Sequence, residues 1–296
     1  MKYLILGGAG YVGKAFLKTF NAKNMPYKSL SRSEVNYYDK IKLREYINSK
    51  FLHLEKSVDS KITIINCAGF VGKPNVDACE NNKEECFEAN SILPFLLSSL
   101  CKEEGYNFCH ISSGCIYNGY KKTFCEEDQP NFNFNNGSFY SGSKAFGEKL
   151  VLKLNPDSYI FRLRIPFNGE NCKRNYLTKL LSYDRLINMQ NSLSHLGDFV
   201  EHCIELIAKQ APKGIYNITN KGSIDAQSIT CMMKKHLKIK KEFKFFSNLD
   251  YFMQEITAPR SNCILDTSKV EQYVNIRNVE EAVENSIIEL GKNEFR

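Results

Sequence analysis

At 296 residues, with 43% hydrophobic, 12% aromatic and 25% charged side chains, the chain has the composition of a globular protein of one or two domains, which excludes a disordered chain or a fibrous repeat. Its formal charge of +7 is spread along the whole length and not gathered into a basic block, so it points to an anionic small molecule and away from nucleic acid. The eleven cysteines show no paired metal-ligand spacing, and an odd count without an export signal reads as reduced thiols in a cytoplasmic protein with no metal and no membrane span.

Lys2 to Leu6 form an apolar run that ends at glycine, and Val12 to Phe20 follow helical spacing: strand, turn, helix. Apolar runs recur at Tyr27 to Leu30, Ile62 to Ile65, Phe108 to Ile111 and Tyr159 to Leu163. Helix-like stretches such as Ser91 to Cys101 and Tyr140 to Leu154 separate them. The alternation predicts an α/β fold, a Rossmann-type doubly wound parallel sheet covered on both faces. From about Pro166 the pattern changes. Helices are expected near Tyr176 to Ser182, Asp198 to Lys209, Ala226 to His236 and Val279 to Leu290, with short strands near Ile215 and Phe243. We read residues 1–165 as a cofactor-binding domain and 166–296 as a smaller α/β substrate lobe, interleaved with the first and returning a strand to the main sheet.

Gly7, Gly10 and Gly13 form a Gly-x-x-Gly-x-x-Gly turn between the first strand and first helix, where backbone N–H groups and the helix dipole favour a pyrophosphate. The end of the second strand, Ser29 to Ser33, is read as lacking the acidic residue that would bind an adenosine ribose 2′-OH. Ser31 and Arg32 stand there instead and suit a 2′-phosphate, so NADPH is favoured over NADH. Cys67, Ala68 and Gly69, following Asn66 at what is counted as the end of a fourth strand, are expected beside the nicotinamide ribose.

Two further stretches carry chemistry: Ser113-Gly114-Cys115 after an apolar run, and Tyr140-Ser141-Gly142-Ser143-Lys144. Positions i and i+4 share a helix face, so the Lys144 ammonium can favour ionised Tyr140, which can pass a proton to a reduced carbonyl. Ser113 adds a second hydrogen bond to that carbonyl oxygen. Cys115 is a thiol that reduction alone does not need.

These motifs, in this order, resemble the extended short-chain dehydrogenase/reductases that act on nucleotide sugars. Gly72 to Glu80, Gly137 to Tyr140, Arg162 to Pro166 and Ala258 to Asn262 resemble a narrower group, the bifunctional UDP-4-keto-6-deoxyglucose 3,5-epimerase/4-reductases of nucleotide-rhamnose synthesis. The resemblance runs from Tyr3 to about Val270. It implies an NADPH-dependent enzyme that turns UDP-4-keto-6-deoxyglucose into UDP-L-rhamnose, with Cys115 as base, Lys179 as the opposing acid, and hydride transfer assisted by Ser113, Tyr140 and Lys144. A buried structural thiol and a solvated helix lysine are the competing readings of Cys115 and Lys179. The resemblance places the sugar at Asn75 and Asp77, the nucleotide at Asn175 and its pyrophosphate at Arg260. Arg164 is read either as a nucleotide contact or as a structural ion-pair partner, and Asn90 as a helix-packing or backbone-bonding residue. His195 and His202 match no motif. Gly114 stands where reductases making dTDP-rhamnose usually carry an acid. The superfamily implies a homodimer, and a separate 4,6-dehydratase would supply the ketone. The rival readings are a reductase without epimerase activity and a non-catalytic regulatory subunit on the same fold.

Overall fold

The computed structural model describes residues 2–51 and 61–294. Contacts divide the chain into two units, Met1–Ser112 with Asn133–Phe161 and Pro212–Ile215, and Ser113–Phe132 with Arg162–Ala211 and Tyr216–Arg296.

The first unit is organised by a sheet whose strands are β1 (Lys2–Leu6), β2 (Tyr27–Leu30), β3 (Ile62–Asn66), β4 (Asn107–Ser113), β5 (Ser158–Leu163) and β6 (Gly214–Asn217), in the order β6-β5-β4-β3-β1-β2. β1 pairs in parallel with both β2 and β3, and β3 with β4. Every residue of β3 is buried, as expected of a strand covered on both faces. Helices α1 (Tyr11–Ala22), α2 (Lys40–Phe51), α3 (Leu93–Glu104) and α4 (Phe139–Leu154) belong to this unit. Leu43 and Ile47 of α2, Leu93 and Leu97 of α3, and Val151 of α4 join Leu4, Ile64, Phe108 and Ile160 of the strands in one core. Helix α2 escapes a pattern reading because an exposed Ile41 and a half-buried Tyr46 blur the buried stripe of Leu43, Ile47 and Phe51. The helix predicted at 91–101 starts at Leu93 and runs on to Glu104, and a wide π turn at Glu88–Ile92 leads into it.

Register decides where the site lies. Leu6 aligns with Leu30 on one side and Asn66 on the other, and Asn66 aligns with His110. The chain leaves β1 toward β2 and later returns to place β3 on the opposite side, so the strand order reverses at the carboxyl ends of β1 and β3. Gly7 and Cys67 follow those ends. Among the described residues β3 is the third strand, which corrects its numbering as a fourth.

The second unit holds helices α5 (Tyr176–Ser182), α6 (Leu196–Ala208), α7 (Ala226–Leu237) and α8 (Val279–Glu294). Ile229, Met233 and Leu237 of α7 repeat every four residues and share a core with Val283, Ile287 and Leu290 of α8. Short parallel pairs complete it: Gly119–Phe124 with Cys263–Leu265, Pro166–Phe167 with Ser194–His195, and Arg185–Leu186 with Lys244–Phe245. The run near Ile215 becomes β6, at the edge of the main sheet. Helix α6 starts two residues before the predicted Asp198, because His195 caps it by accepting from the Asp198 N–H at 3.2 Å. Among the described residues no helix is long and apolar enough to cross a membrane, and no group of three or more His, Cys, Asp or Glu is placed to hold a metal ion.

Candidate active site

In the first unit the glycine turn is held by close backbone approach. Gly7 has φ +77°, and a Cβ there would lie 2.6 Å from the Ala68 nitrogen; a Cβ on Gly13 would lie 2.2 Å from the Gly7 oxygen. The Gly10 N–H donates to the Gly7 oxygen at 3.0 Å. Helix α1 is preceded by Gly10 as its cap, with no side-chain cap and no acid in its first turn, so the positive end of its dipole favours an anion. The Tyr37 hydroxyl accepts from the Gly7 N–H at 3.3 Å and donates to the Leu30 oxygen, tying the turn to the end of β2. This cradle fits a dinucleotide pyrophosphate.

Ser31 and Arg32 follow β2 and are exposed. The reading that this end lacks an acid needs correction. Glu34 reaches back, and its carboxylate accepts from the Ser31 N–H at 2.8 Å and the Ser31 hydroxyl at 2.7 Å. Those two hydrogen bonds hold the Glu34 carboxyl below its usual range. Displaced from the strand end by a turn, Glu34 falls outside a motif that expects the acid immediately after β2.

Across the switch point, Asn66 accepts from the Ala68 N–H at 3.1 Å and its amide nitrogen lies 3.1 Å from Nδ1 of His110. Burial, with the Lys144 charge, keeps His110 neutral, and Nδ1 is then the acceptor of that bond. Asn66 and His110 thus set the backbone of the Cys67–Gly69 segment, a role visible in the sequence only as two polar residues inside apolar strands. Burial also pushes the Cys67 thiol well above its usual range.

Helix α4 begins at Ser138, whose hydroxyl accepts from the Ser141 N–H at 3.1 Å, while Glu80 accepts from the Phe139 N–H at 2.7 Å. These caps fix the turn that carries Tyr140, itself buried. One turn on, Lys144 is buried, and its ammonium donates to the Ile111 oxygen at 3.1 Å. Desolvation lowers its pKa to about 8, against the opposing pull of Glu148. A Cβ on Gly69 would come within 3.3 Å of the Lys144 nitrogen and 2.9 Å of Asn90 Oδ1, which places the expected ribose segment against Lys144. Asn90 bonds the backbone as expected, accepting from the Phe70 N–H at 3.0 Å and donating to its oxygen at 2.8 Å. Asn75 accepts from the Asp77 N–H at 2.8 Å, and Asp77 precedes the short helix Ala78–Asn81.

In the second unit, the buried Ser113 accepts from the Cys115 N–H at 3.1 Å, fixing the turn that presents a half-buried Cys115. Arg164 is fully buried and donates to Cys115 Sγ at 3.5 Å. Gly114 is needed for packing: a Cβ there would lie 2.5 Å from Leu265 Cδ1 and 3.4 Å from Arg164 Cβ. Lys179, on α5, is held below its ordinary pKa by burial, then by the charges of Arg174 and Arg260. Arg174 is the member of this basic group that motif reading passed over. Arg260 donates to the Ala258 oxygen.

Asn175 is fully engaged within its own segment. Its Oδ1 accepts from Leu177 at 3.1 Å and Asn168 at 3.3 Å, and its nitrogen donates to the oxygens of Asn168 at 2.8 Å and Glu170 at 2.7 Å. With both amide protons and both oxygen lone pairs used, it shapes the loop before α5, and the expectation that it holds the nucleotide directly is set aside. The first unit therefore carries the glycine turn, Tyr140 and Lys144, and the second carries Ser113, Cys115, Arg164, Lys179 and Arg260.

The parallel sheet and the glycine turn at its switch point define a Rossmann-type α/β protein. The chain belongs to the RmlD substrate binding domain family, whose sequence model it matches over residues 1–291. It is 30% identical to a bifunctional dTDP-4-dehydrorhamnose 3,5-epimerase/dTDP-4-dehydrorhamnose reductase of Arabidopsis thaliana, across 98% of this chain and 93% of that protein. It is 34% identical to a trifunctional UDP-glucose 4,6-dehydratase/UDP-4-keto-6-deoxy-D-glucose 3,5-epimerase/UDP-4-keto-L-rhamnose-reductase of the same plant, across 92% of this chain and 39% of the relative. It thus spans about two fifths of the trifunctional relatives it matches. In fold it is similar to the crystal structure of the L780 UDP-rhamnose synthase from Acanthamoeba polyphaga mimivirus, with a TM-score of 0.86 at 23% identity, covering 98% of this chain and 99% of that one.

Proposed function

We propose that this protein converts UDP-4-keto-6-deoxy-D-glucose to UDP-L-rhamnose, by epimerisation at C3 and C5 followed by reduction of the C4 ketone. The observation that carries the reading is the match to the bifunctional relative over nearly the full length of both chains. Retention of Ser113, Cys115, Tyr140 and Lys144 supports it.

The first unit binds NADPH, in preference to NADH, through Gly7, Gly10, Gly13, Ser31, Arg32, Cys67, Ala68, Gly69, Tyr140 and Lys144. When bound, that cofactor supplies the hydride for C4. The second unit takes the sugar nucleotide, with Arg260 on its diphosphate, and Asn75 and Asp77 of the first unit take part in holding the sugar. Abstraction of a proton beside the ketone drives negative charge onto the C4 oxygen, and so does attack at C4. Hydrogen bonds from Ser113 and Tyr140 to that oxygen therefore serve both reactions. Cys115 removes the proton. Lys179, whose burial and cationic neighbours weaken its hold on its own proton, returns one to the opposite face. Lys144, at about 8, favours ionised Tyr140 while protonated and can return its proton near neutral pH. A 4,6-dehydratase activity supplies the substrate, and the protein works in the cytoplasm as a homodimer.

The second reading, a reductase acting on an already epimerised sugar, is favoured by similarity to the dTDP-4-dehydrorhamnose reductase of Mycolicibacterium smegmatis, 23% identical across 75% of this chain. Reaction with UDP-4-keto-6-deoxyglucose and NADPH in D2O separates the two. UDP-rhamnose labelled at C3 and C5 supports the bifunctional reading. Turnover of the epimerised ketosugar alone, or product without label, would reduce the protein to a reductase. No turnover of any ketosugar would favour a regulatory role.

A further inference from the structure

Two buried thiols of the first unit take no part in the chemistry proposed above. Cys79 lies on the short helix Ala78–Asn81 and Cys86 on the next, Lys83–Phe87, and both are 0% exposed. A hydrogen bond joins them, which sets the two sulfurs side by side. Cys86 Sγ also accepts from the Asn90 amide nitrogen at 3.3 Å and lies 3.4 Å from Ser143 Oγ. Both partners reach the cofactor residues. Asn90 holds Phe70 through its N–H and its oxygen, and Ser143 donates to the Tyr140 oxygen at 2.8 Å. Among the described residues no third His, Cys, Asp or Glu completes a metal site with the pair.

Cys86 differs from the other buried thiols of the unit. Burial pushes Cys67, Cys101 and Cys109 up, to about 12 for Cys109. At Cys86 the hydrogen bond from Cys79 is the largest influence, and with those of Ser143 and Asn90 and the Lys144 charge it outweighs burial, lowering the pKa from 9.0 to about 7. A surface cleft whose lining includes Glu80 and Phe87, the residues that follow the two cysteines, gives a small oxidant a short path to them.

We propose that Cys79 and Cys86 are a redox pair, oxidised to a disulfide by hydrogen peroxide, and that the disulfide weakens the cofactor site. The Cys86 sulfur attacks one peroxide oxygen: an S–O bond forms, the O–O bond breaks, and the departing hydroxide takes up the thiol proton as water. Cys86 is then a sulfenic acid and the peroxide is reduced. The Cys79 sulfur attacks the Cys86 sulfur in turn. An S–S bond forms, the S–O bond breaks, and a second water leaves with the Cys79 proton. Once bonded to Cys79, the Cys86 sulfur is drawn away from Asn90. The clamp on Phe70 then loosens, beside the Gly69 that lies against Lys144. Only that consequence for the cofactor rests on the proposed function; the pairing of the thiols does not.

The test needs no sugar substrate. Peroxide-treated protein is alkylated to block its remaining thiols, digested without reductant and mapped by mass spectrometry, while NADPH binding is titrated in parallel. The wild type is expected to lose two hydrogens at a Cys79–Cys86 linkage that dithiothreitol reverses, and Cys79→Ala should stop at a sulfenic acid on Cys86 that dimedone labels. The Kd for NADPH should rise by about fivefold or more on oxidation and return on reduction, whereas Cys86→Ser should bind NADPH equally with and without peroxide. Peroxide that leaves both thiols reduced, or links Cys86 to a different cysteine, would overturn the pairing. A Kd that stays put as the linkage forms, or rises as much in Cys86→Ser, would overturn its effect on the site. If Cys86→Ser does not fold, the linkage and the reversible change of Kd in the wild type decide alone. A linkage that forms in a protein unable to bind NADPH would sink the proposed function and leave the redox pair standing.

Discussion

Replacing Lys144 with methionine removes a buried ammonium and keeps most of its stem. Lys144 is 5% exposed, and burial takes its pKa from 10.5 to about 8. The unfolded chain keeps this proton up to pH 10.5 and the folded one only up to about 8, so the penalty is full below about 8 and fades as pH rises between the two values. At roughly 1.4 kcal/mol per pH unit the penalty is about 3 kcal/mol at pH 7 and just under about 1 kcal/mol at pH 10. The variant also loses the hydrogen bond from the ammonium to the Ile111 oxygen, 3.1 Å long, a loss of about 1 kcal/mol. Lys144→Met should therefore be more stable than the wild type by about 2 kcal/mol at pH 7, a rise in Tm of roughly 4 °C, and about equal to it at pH 10. Ketone reduction should fall by about a hundredfold or more. Urea denaturation of the cofactor-free protein at the two pH values, with turnover measured in parallel, checks both. A variant less stable than wild type at pH 7, or a gain indifferent to pH, would refute a functional ammonium held at the expense of stability.

Other outcomes follow from individual contacts. Asp198 accepts from Arg277 at 2.9 to 3.1 Å and from Asn220 at 2.8 Å, and its carboxylate lies 2.9 Å from His195 Nδ1. Burial alone would raise its pKa, but the hydrogen bonds and charges of these partners win and lower it from 3.8 to about 2. The group's contribution, roughly 2 kcal/mol, is present above 3.8 and lost as pH falls to about 2, so the stability gap between wild type and Asp198→Asn should close over that window in acid unfolding. Gly13→Ala would put a methyl 2.2 Å from a backbone oxygen, and NADPH affinity by titration should drop by about tenfold or more as the turn shifts. Glu34→Gln removes a negative charge beside Ser31 and should lower the Kd for NADPH several-fold more than that for NADH; an equal change in both would place the 2′-phosphate elsewhere.

Periodicity and local chemistry made much of this protein legible from its sequence. A short apolar strand breaking into Gly7, Gly10 and Gly13 admits few structures, because close backbone approach tolerates no side chain. Tyr140 and Lys144 share a helix face wherever that helix sits. The parallel sheet likewise follows from strands that alternate with helices. Tertiary structure decided what depends on residues distant in sequence. Helix α2 mixes exposed and buried apolar positions, and which of them face the core is identified only by what they pack against. Glu34 sits beside Ser31 through a turn that no strand-end motif anticipates, and Asn175 is used up by carbonyls and N–H groups of its own loop. Arg164 reads in the sequence as either a nucleotide contact or half of an ion pair; only the fold shows it buried, with no carboxylate partner among the described residues, against the Cys115 sulfur. Charge state in a protein interior depends on which groups are absent as much as on which are present, and absence is a property of three-dimensional packing alone.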